Sequence, residues 1–316
     1  AIYNKILQLN ENDLEANFKI AEFLVLAKQP ELAMEKISFV LEKDPENIEA
    51  IMVKARIFMQ KQLFDKAISL YQDVLALDPE NIPAMQNQAR IHGYNKEYQA
   101  AENLLLKTVD LQPESLEVRL LLINFYQQQQ DFTNVERHLK FAAKTAEDNP
   151  APHIMLGNLY LNQNKIALAE KAYLQAVQAA PKELKARMAL AKLYNNTNRT
   201  DKVLEIYEDA LAENPDNIAL ITSMARFHAS QQNIDEAEKL VAQMLADRPG
   251  YGPAKMLKSE LLIYKNDFSA ALKILSNLEK DDPNAFRIHY FKGLGYKGTG
   301  EYDQAKSSLA RAVELN

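Results

Sequence analysis

Cysteine and tryptophan are absent from this 316-residue chain, and glycine occurs only eight times. Without cysteine there is no disulfide framework, no thiolate nucleophile and no cysteine-ligated metal. The same absence suits an exported protein that avoids stray disulfides, and many cytosolic proteins share it. So few glycines exclude a turn-dense β protein or a glycine-looped nucleotide fold, both of which need positive-φ residues. A basic excess is missing too: the net charge is −6 and the pI near 5.6. That balance opposes nucleic-acid or anionic-membrane binding as the main activity. No apolar run approaches the roughly 20 residues a membrane-spanning helix needs. What remains is 47% hydrophobic and 25% charged, rich in Ala, Leu, Glu, Lys and Gln. These are helix-forming residues with ample apolar material for a core.

The twelve prolines supply a ruler. Pro45, Pro79 and Pro113 lie 34 residues apart, and Pro181, Pro215, Pro249 and Pro283 continue the same grid after one gap at Glu147. Placing proline in slot 32 starts full units at residues 14, 48, 82, 116, 150, 184, 218, 252 and 286, nine in all. Slot 8 is small in most units (Ala21, Ala55, Ala89, Gly157, Ala191, Ala225, Ser259, Gly293), as is slot 20 (Ala33, Ala67, Ala101, Ala169, Ala237, Ala271, Ala305). Large residues at slots 11, 17 and 24 alternate with them. Small positions on two facing helices allow close approach, so each unit is expected to be helix A over about slots 1–14 and helix B over about 18–31. Pro30 and Thr200 are exceptions to the large residue at slot 17. Turns hold residues such as Asn164, Asn198 and Asn266, which tolerate the left-handed conformation. Asn47, Asn81 and Asn217 fall where the next helix needs an N-cap.

This pattern resembles the tetratricopeptide repeat family over nearly the whole chain. The family's tryptophan at slot 4 is replaced by residues such as Met85 and Ile221, and its glycine at slot 15 survives only as Gly300. The resemblance implies an all-α, right-handed superhelix of antiparallel helix hairpins. It also implies that residues 1–13 are the end of a preceding helix B, so that the chain is expected to be part of a longer repeat protein.

No catalytic motif is legible. His92 and His228 share slot 11, His153 and His289 share slot 4, and His138 lies in a helix B. No pair has the i,i+4 spacing of a helical metal site, so all five are expected to be packing residues. There is no glycine-rich phosphate loop, nucleophile turn or paired-carboxylate pattern. The chain is expected to be non-enzymatic, with no cofactor or metal. Gln127–Gln130 forms an amide run at a turn and is expected to face solvent.

By the same resemblance, helix A lines the concave, ligand-facing side through slots 2, 5, 6, 9, 12 and 13. Slot 9 then runs Arg56, Arg90, Asn124, Asn158, Lys192, Arg226, all hydrogen-bond donors. Slots 12 and 13 add amides such as Gln127, Asn162 and Asn195, while slots 5 and 6 bring Met52, Met155 and Met188. These six slots carry eight basic residues (Lys19, Arg56, Arg90, Lys185, Lys192, Arg226, Arg287, Lys297). Five are acidic (Glu15, Glu22, Glu49, Glu117, Glu260), leaving an excess of three positive charges. The expected partner is a protein or peptide, acidic in character, held as an extended segment or a helix, with adaptable apolar contact from methionine. Solvation of a half-exposed helix face would produce the same donor row. The family's clamp for chaperone C-termini is matched only by Asn124 and Lys185. Two other roles stay open by resemblance: a bacterial envelope protein assisting exopolysaccharide export or protein sorting, and the regulatory arm of a larger enzyme. The compartment is accordingly cytoplasm or bacterial envelope, with the envelope slightly preferred.

Overall fold

The computed structural model describes residues 2–315, without the side chain of Asn4. Among the described residues there are nineteen helices and no strand. The chain divides into two compact units, one ending at Ala179 and one beginning at Ala180. The first holds α1 (Ile2–Leu9), α2 (Leu14–Leu26), α3 (Pro30–Lys43), α4 (Ile48–Gln60), α5 (Phe64–Leu77) and α6 (Ile82–Tyr94). It continues with α7 (Tyr98–Leu111), α8 (Leu116–Gln128), α9 (Phe132–Thr145), α10 (Pro150–Asn162) and α11 (Ile166–Ala179). The second holds α12 (Leu184–Asn196), α13 (Thr200–Glu213), α14 (Ile218–Ser230) and α15 (Ile234–Asp247). It ends with α16 (Gly252–Tyr264), α17 (Phe268–Asp281), α18 (Phe286–Thr299) and α19 (Tyr302–Glu314). Inside each unit every helix packs on the next in sequence, which makes each a solenoid stack of helical hairpins.

Local chemistry sets the helix boundaries. Asn47, Asn81 and Asn217 accept hydrogen bonds from the backbone N–H of Ala50 (2.9 Å), Ala84 (3.0 Å) and Leu220 (3.1 Å), as their spacing predicts. Asp13 and Ser115 cap α2 and α8 in the same way. Each cap satisfies a donor that the first turn leaves unpaired. The B helices begin at slot 17, one residue earlier than expected. That shift explains the slot-17 exceptions: Pro30 and Thr200 are the first residues of α3 and α13. Proline is well suited to that position because its missing N–H would be unpaired there.

The turn between helices A and B is two or three residues long, and its left-handed residue, expected at Asn164, Asn198 and Asn266, recurs in every hairpin. Lys28, Gln62, Lys96, Gln130, Asn164, Asn198, Gln232 and Asn266 all have φ between 56° and 64°, and Gly300 has φ 84°. All nine occupy slot 15. The left-handed conformation is thus a fixed requirement of the hairpin, met by glycine once and by lysine, glutamine or asparagine elsewhere.

The core follows the small–large alternation. Ala33, Ala55, Ala67, Ala101, Ala169, Ala225, Ala237 and Ala271 are completely buried. Large neighbours such as Ile37, Ile57, Tyr71, Leu122 and Leu257 fill the layers between them. Burying one such aliphatic side chain contributes about 2 kcal/mol. At Gly157 even a methyl group is excluded, since an added Cβ would lie 2.3 Å from the Tyr173 ring.

Candidate functional site

The A helices present the donor row to solvent. In the first unit Arg56, Arg90, Asn124 and Asn158 are exposed, one each on α4, α6, α8 and α10. In the second, Lys192 and Arg226 are exposed on α12 and α14. Gln127, Asn162 and Asn195 are also exposed, whereas Met52, Met155 and Met188 are half-buried. Met52 packs against the core around Ile51, Ala55 and Tyr71 and offers only part of its surface.

The members of the row differ in their local partners. Asn158 Oδ1 accepts from the Tyr173 hydroxyl at 2.7 Å, so it helps hold α11 on α10. Arg226 lies 4.0 Å from Glu260, which also accepts from Arg287 at 2.5 Å. Glu260 is 8% exposed at its side chain, and burial raises its pKa while the two arginines oppose that rise. Glu260, one of the five acidic residues counted in the groove, is therefore enclosed between two of the basic ones. Gln60 donates to the Val25 carbonyl at 2.9 Å, tying α4 to α2.

Arg90 and Asn124 do come together. They line a depression of about 700 Å³ between α6 and α8, with Leu105 of α7 at its floor. One wall carries Gln86, Asn87, Arg90 and Tyr94, the other Glu117, Leu121, Asn124 and Gln128. These residues come from slots 2, 5, 6, 9 and 13. Gly93, at slot 12, lines it as well and faces open space, since a Cβ there would meet nothing within 4 Å. Asn87 Oδ1 accepts from the Arg90 guanidinium at 2.7 Å and orients it. Tyr94 is 69% exposed and leans on Phe64, their ring centroids 4.8 Å apart. The volume is within the range of sites that hold small ligands or a few peptide residues. Gln127, although exposed, lies outside this depression, and Gln128 occupies it instead.

The donor row did not reveal Gly93, Leu105 or Phe125 as groove residues. Gly93 had a visible signal: slot 12 holds a side chain in every other unit, from Val25 and Met59 to Lys297.

The histidines are tied into helix packing in different ways. His138 is buried, stacks on Tyr126 at 5.6 Å and faces Arg119 (3.2 Å) and Arg137 (3.3 Å). Burial first, then the two arginines, lowers its pKa to about 4. His92 is bonded to Glu97, and His289 Nε2 lies 2.8 Å from the Pro283 carbonyl. Among the described residues no group of three metal-ligating side chains is present, and no helix is long and apolar enough to cross a membrane.

Sequence comparison agrees with this architecture. A tetratricopeptide repeat model matches residues 24–91, 197–261 and 230–295, more than half of the chain. Two related ones match 154–218 and 286–316. The chain belongs to the tetratricopeptide repeat family, whose repeats build protein-interaction scaffolds. Comparison with curated proteins finds no match. Among solved structures, yeast Tom70 aligns over 99% of this chain and 87% of its own, with 13% identity and a TM-score of 0.53, which supports the shared fold. A chain of the Naa15/Naa10 complex bound to HypK-THB aligns over 99% of this chain at 15% identity and a TM-score of 0.47, and this chain covers 60% of it. MamA from Desulfovibrio magneticus RS-1 aligns over 52% of this chain and 94% of its own, at 15% identity and a TM-score of 0.43.

Proposed function

We propose that this protein is a non-enzymatic scaffold that holds an extended, acidic segment of a partner protein on its A-helix face, anchored in the depression between α6 and α8. The observation that carries this reading is the depression itself, which gathers Arg90, Asn124, Gln128, Tyr94 and Leu121 together with Gly93. An apolar side chain of the partner enters above Leu105. Asn124 and Gln128 hydrogen-bond its backbone, and Arg90, held by Asn87, pairs with a carboxylate. An exposed arginine can make that pair without a burial cost, because it is not sealed from water. The nine 34-residue units are the frame that sets the spacing of such contacts along each compact unit.

The test is affinity capture with the parent protein beside the double variant Arg56→Glu/Arg90→Glu. Both residues are exposed, so the variant is expected to melt within a degree or two of the parent. A partner retained by the parent and lost by the variant supports the groove. Equal retention by both contradicts it.

A further inference from the structure

A second crevice lies on the opposite, B-helix side of the first unit, between α9, α10 and α11. It encloses about 430 Å³. Its walls are partly apolar, formed by Leu156, Leu168 and Ala172, and its rim carries Lys140, Lys144 and Lys171. Glu136 is the one acidic residue lining it, and that carboxylate is already engaged by Lys140 at 2.6 Å and by the Tyr160 hydroxyl at 2.8 Å. Lys144 and Lys171 make no ion pair among the described residues and are exposed. The lining therefore carries an excess of two positive charges in a chain whose net charge is −6. At the base, His153 leaves its Nδ1 buried with no hydrogen-bond partner, so no bond at that atom fixes the ring. Burial also lowers the His153 pKa and keeps the ring neutral, so it adds no repulsion toward either sign of charge.

One repeat earlier the equivalent positions are occupied differently. There, slot 4 holds Arg119, whose guanidinium lies 3.9 Å from the centroid of the Phe141 ring and bonds to His138 and the Pro113 carbonyl. Thirty-four residues on, Arg119 becomes His153 and Phe141 becomes Gln175, and both of these line the crevice. The corresponding crevice over α4 has the other sign of charge, being lined by Glu46, Asp73 and Lys54.

We infer that this crevice is a second docking site, separate from the A-helix groove, which takes an acidic residue flanked by an apolar one from a partner protein segment. The carboxylate sits between Lys144 and Lys171, and the apolar side chain enters over Leu156 and Ala172. Complementary charge steers the encounter, and the apolar contact supplies the burial that a surface ion pair lacks.

The test uses random twelve-residue peptides displayed on phage and panned on the full chain. Each enriched clone is then rebound to three variants: Lys144→Glu/Lys171→Glu, His153→Phe, which fills the crevice, and Arg90→Glu/Gly93→Leu, which alters the other groove. The expected result is a class of clones carrying Asp or Glu next to Leu, Ile or Phe. Their affinity falls about tenfold or more on the lysine reversal and on His153→Phe, and is unchanged on Arg90→Glu/Gly93→Leu. Clones lost only on the last variant belong to the A-helix groove and do not count for the crevice. The inference is overturned if no clone depends on Lys144 and Lys171, or if the clones that do so carry no acidic residue.

Discussion

The Tyr126 hydroxyl donates a 2.6 Å hydrogen bond to Glu102, twenty-four residues upstream on α7. One repeat later Tyr160 donates to Glu136 in the same way, at 2.8 Å. Both bonds join slot 11 of one helix A to slot 21 of the preceding helix B, so they run between repeats and not within them. They act as specific crosslinks between neighbouring repeats. Where slot 11 holds Phe58, slot 21 of the preceding unit holds the apolar Met34. Burial and the adjacent carboxylate both raise the Tyr126 pKa, so the phenol remains a donor across the physiological range.

Tyr126→Phe removes one such crosslink without changing the packing volume. It should cost about 1 kcal/mol, the usual net worth of a hydrogen bond, with a little more because Glu102 is half-buried. Urea unfolding followed by circular dichroism measures this directly. An unchanged midpoint would show that water replaces the bond at no cost.

The left-handed turns make an opposite, stabilising prediction. Lys96 and Gln130 hold φ of 64° and 58°, where a side chain is strained by about 1 kcal/mol. Lys96→Gly and Gln130→Gly should each raise stability by somewhat less than that, since glycine also loses more backbone entropy on folding. Gly300→Ala should lower it. Melting temperatures of the three variants are the readout, and a loss of stability in both glycine variants would contradict the strain argument.

Close helix approach is tested from the small slots. Gly157→Ala drives a methyl group into the Tyr173 ring, which is itself held by Asn158, and should cost about 1–3 kcal/mol. Ala169→Arg forces a charge into a completely buried position on α11 and should abolish cooperative unfolding of the first unit. A melt of Ala169→Arg at the parental temperature would contradict the packing assignment.

His138 gives the fold a dependence on acid. Its pKa falls from the ordinary 6.5 to about 4 in the folded chain, so the native state favours the neutral ring. Stability from this group is complete above pH 6.5 and is lost as the pH falls toward 4, because the unfolded chain takes up the proton first. Carboxylates titrate in the lower part of that window as well. The diagnostic is therefore the difference between the parent and His138→Gln, which should narrow as the pH drops from 7 to 4.5. A constant difference would exclude His138 as the source.

Much of the fold was legible because the repeat encodes it redundantly. Proline at slot 32, alanine at slots 8 and 20 and asparagine before helix A each point to the same hairpin. The turn conformation was legible only in part: Gly300 and Asn164, Asn198 and Asn266 announce it, whereas Lys28, Lys96 or Gln62 carries no such signature. The groove was legible as a row of donors but not as a shape. Slot periodicity identifies which side chains share a face, yet it does not say which are engaged by neighbours, as Asn158 is by Tyr173 and Arg226 is near Glu260. Nor does it give depth, as at the depression between α6 and α8, where Gly93 faces open space.

The central claim concerns that depth, and site-specific photocrosslinking tests it most directly. A benzophenone amino acid placed at Leu121, on the wall of the depression, should crosslink a partner segment that mass spectrometry reads as acidic and apolar, and Gly93→Leu should suppress the product. The same probe at the exposed Leu77 on α5, outside that depression, should leave that segment uncoupled. Crosslinking of one segment with equal yield from both positions, or an undiminished yield with Gly93→Leu, would contradict the groove between α6 and α8 as the binding site.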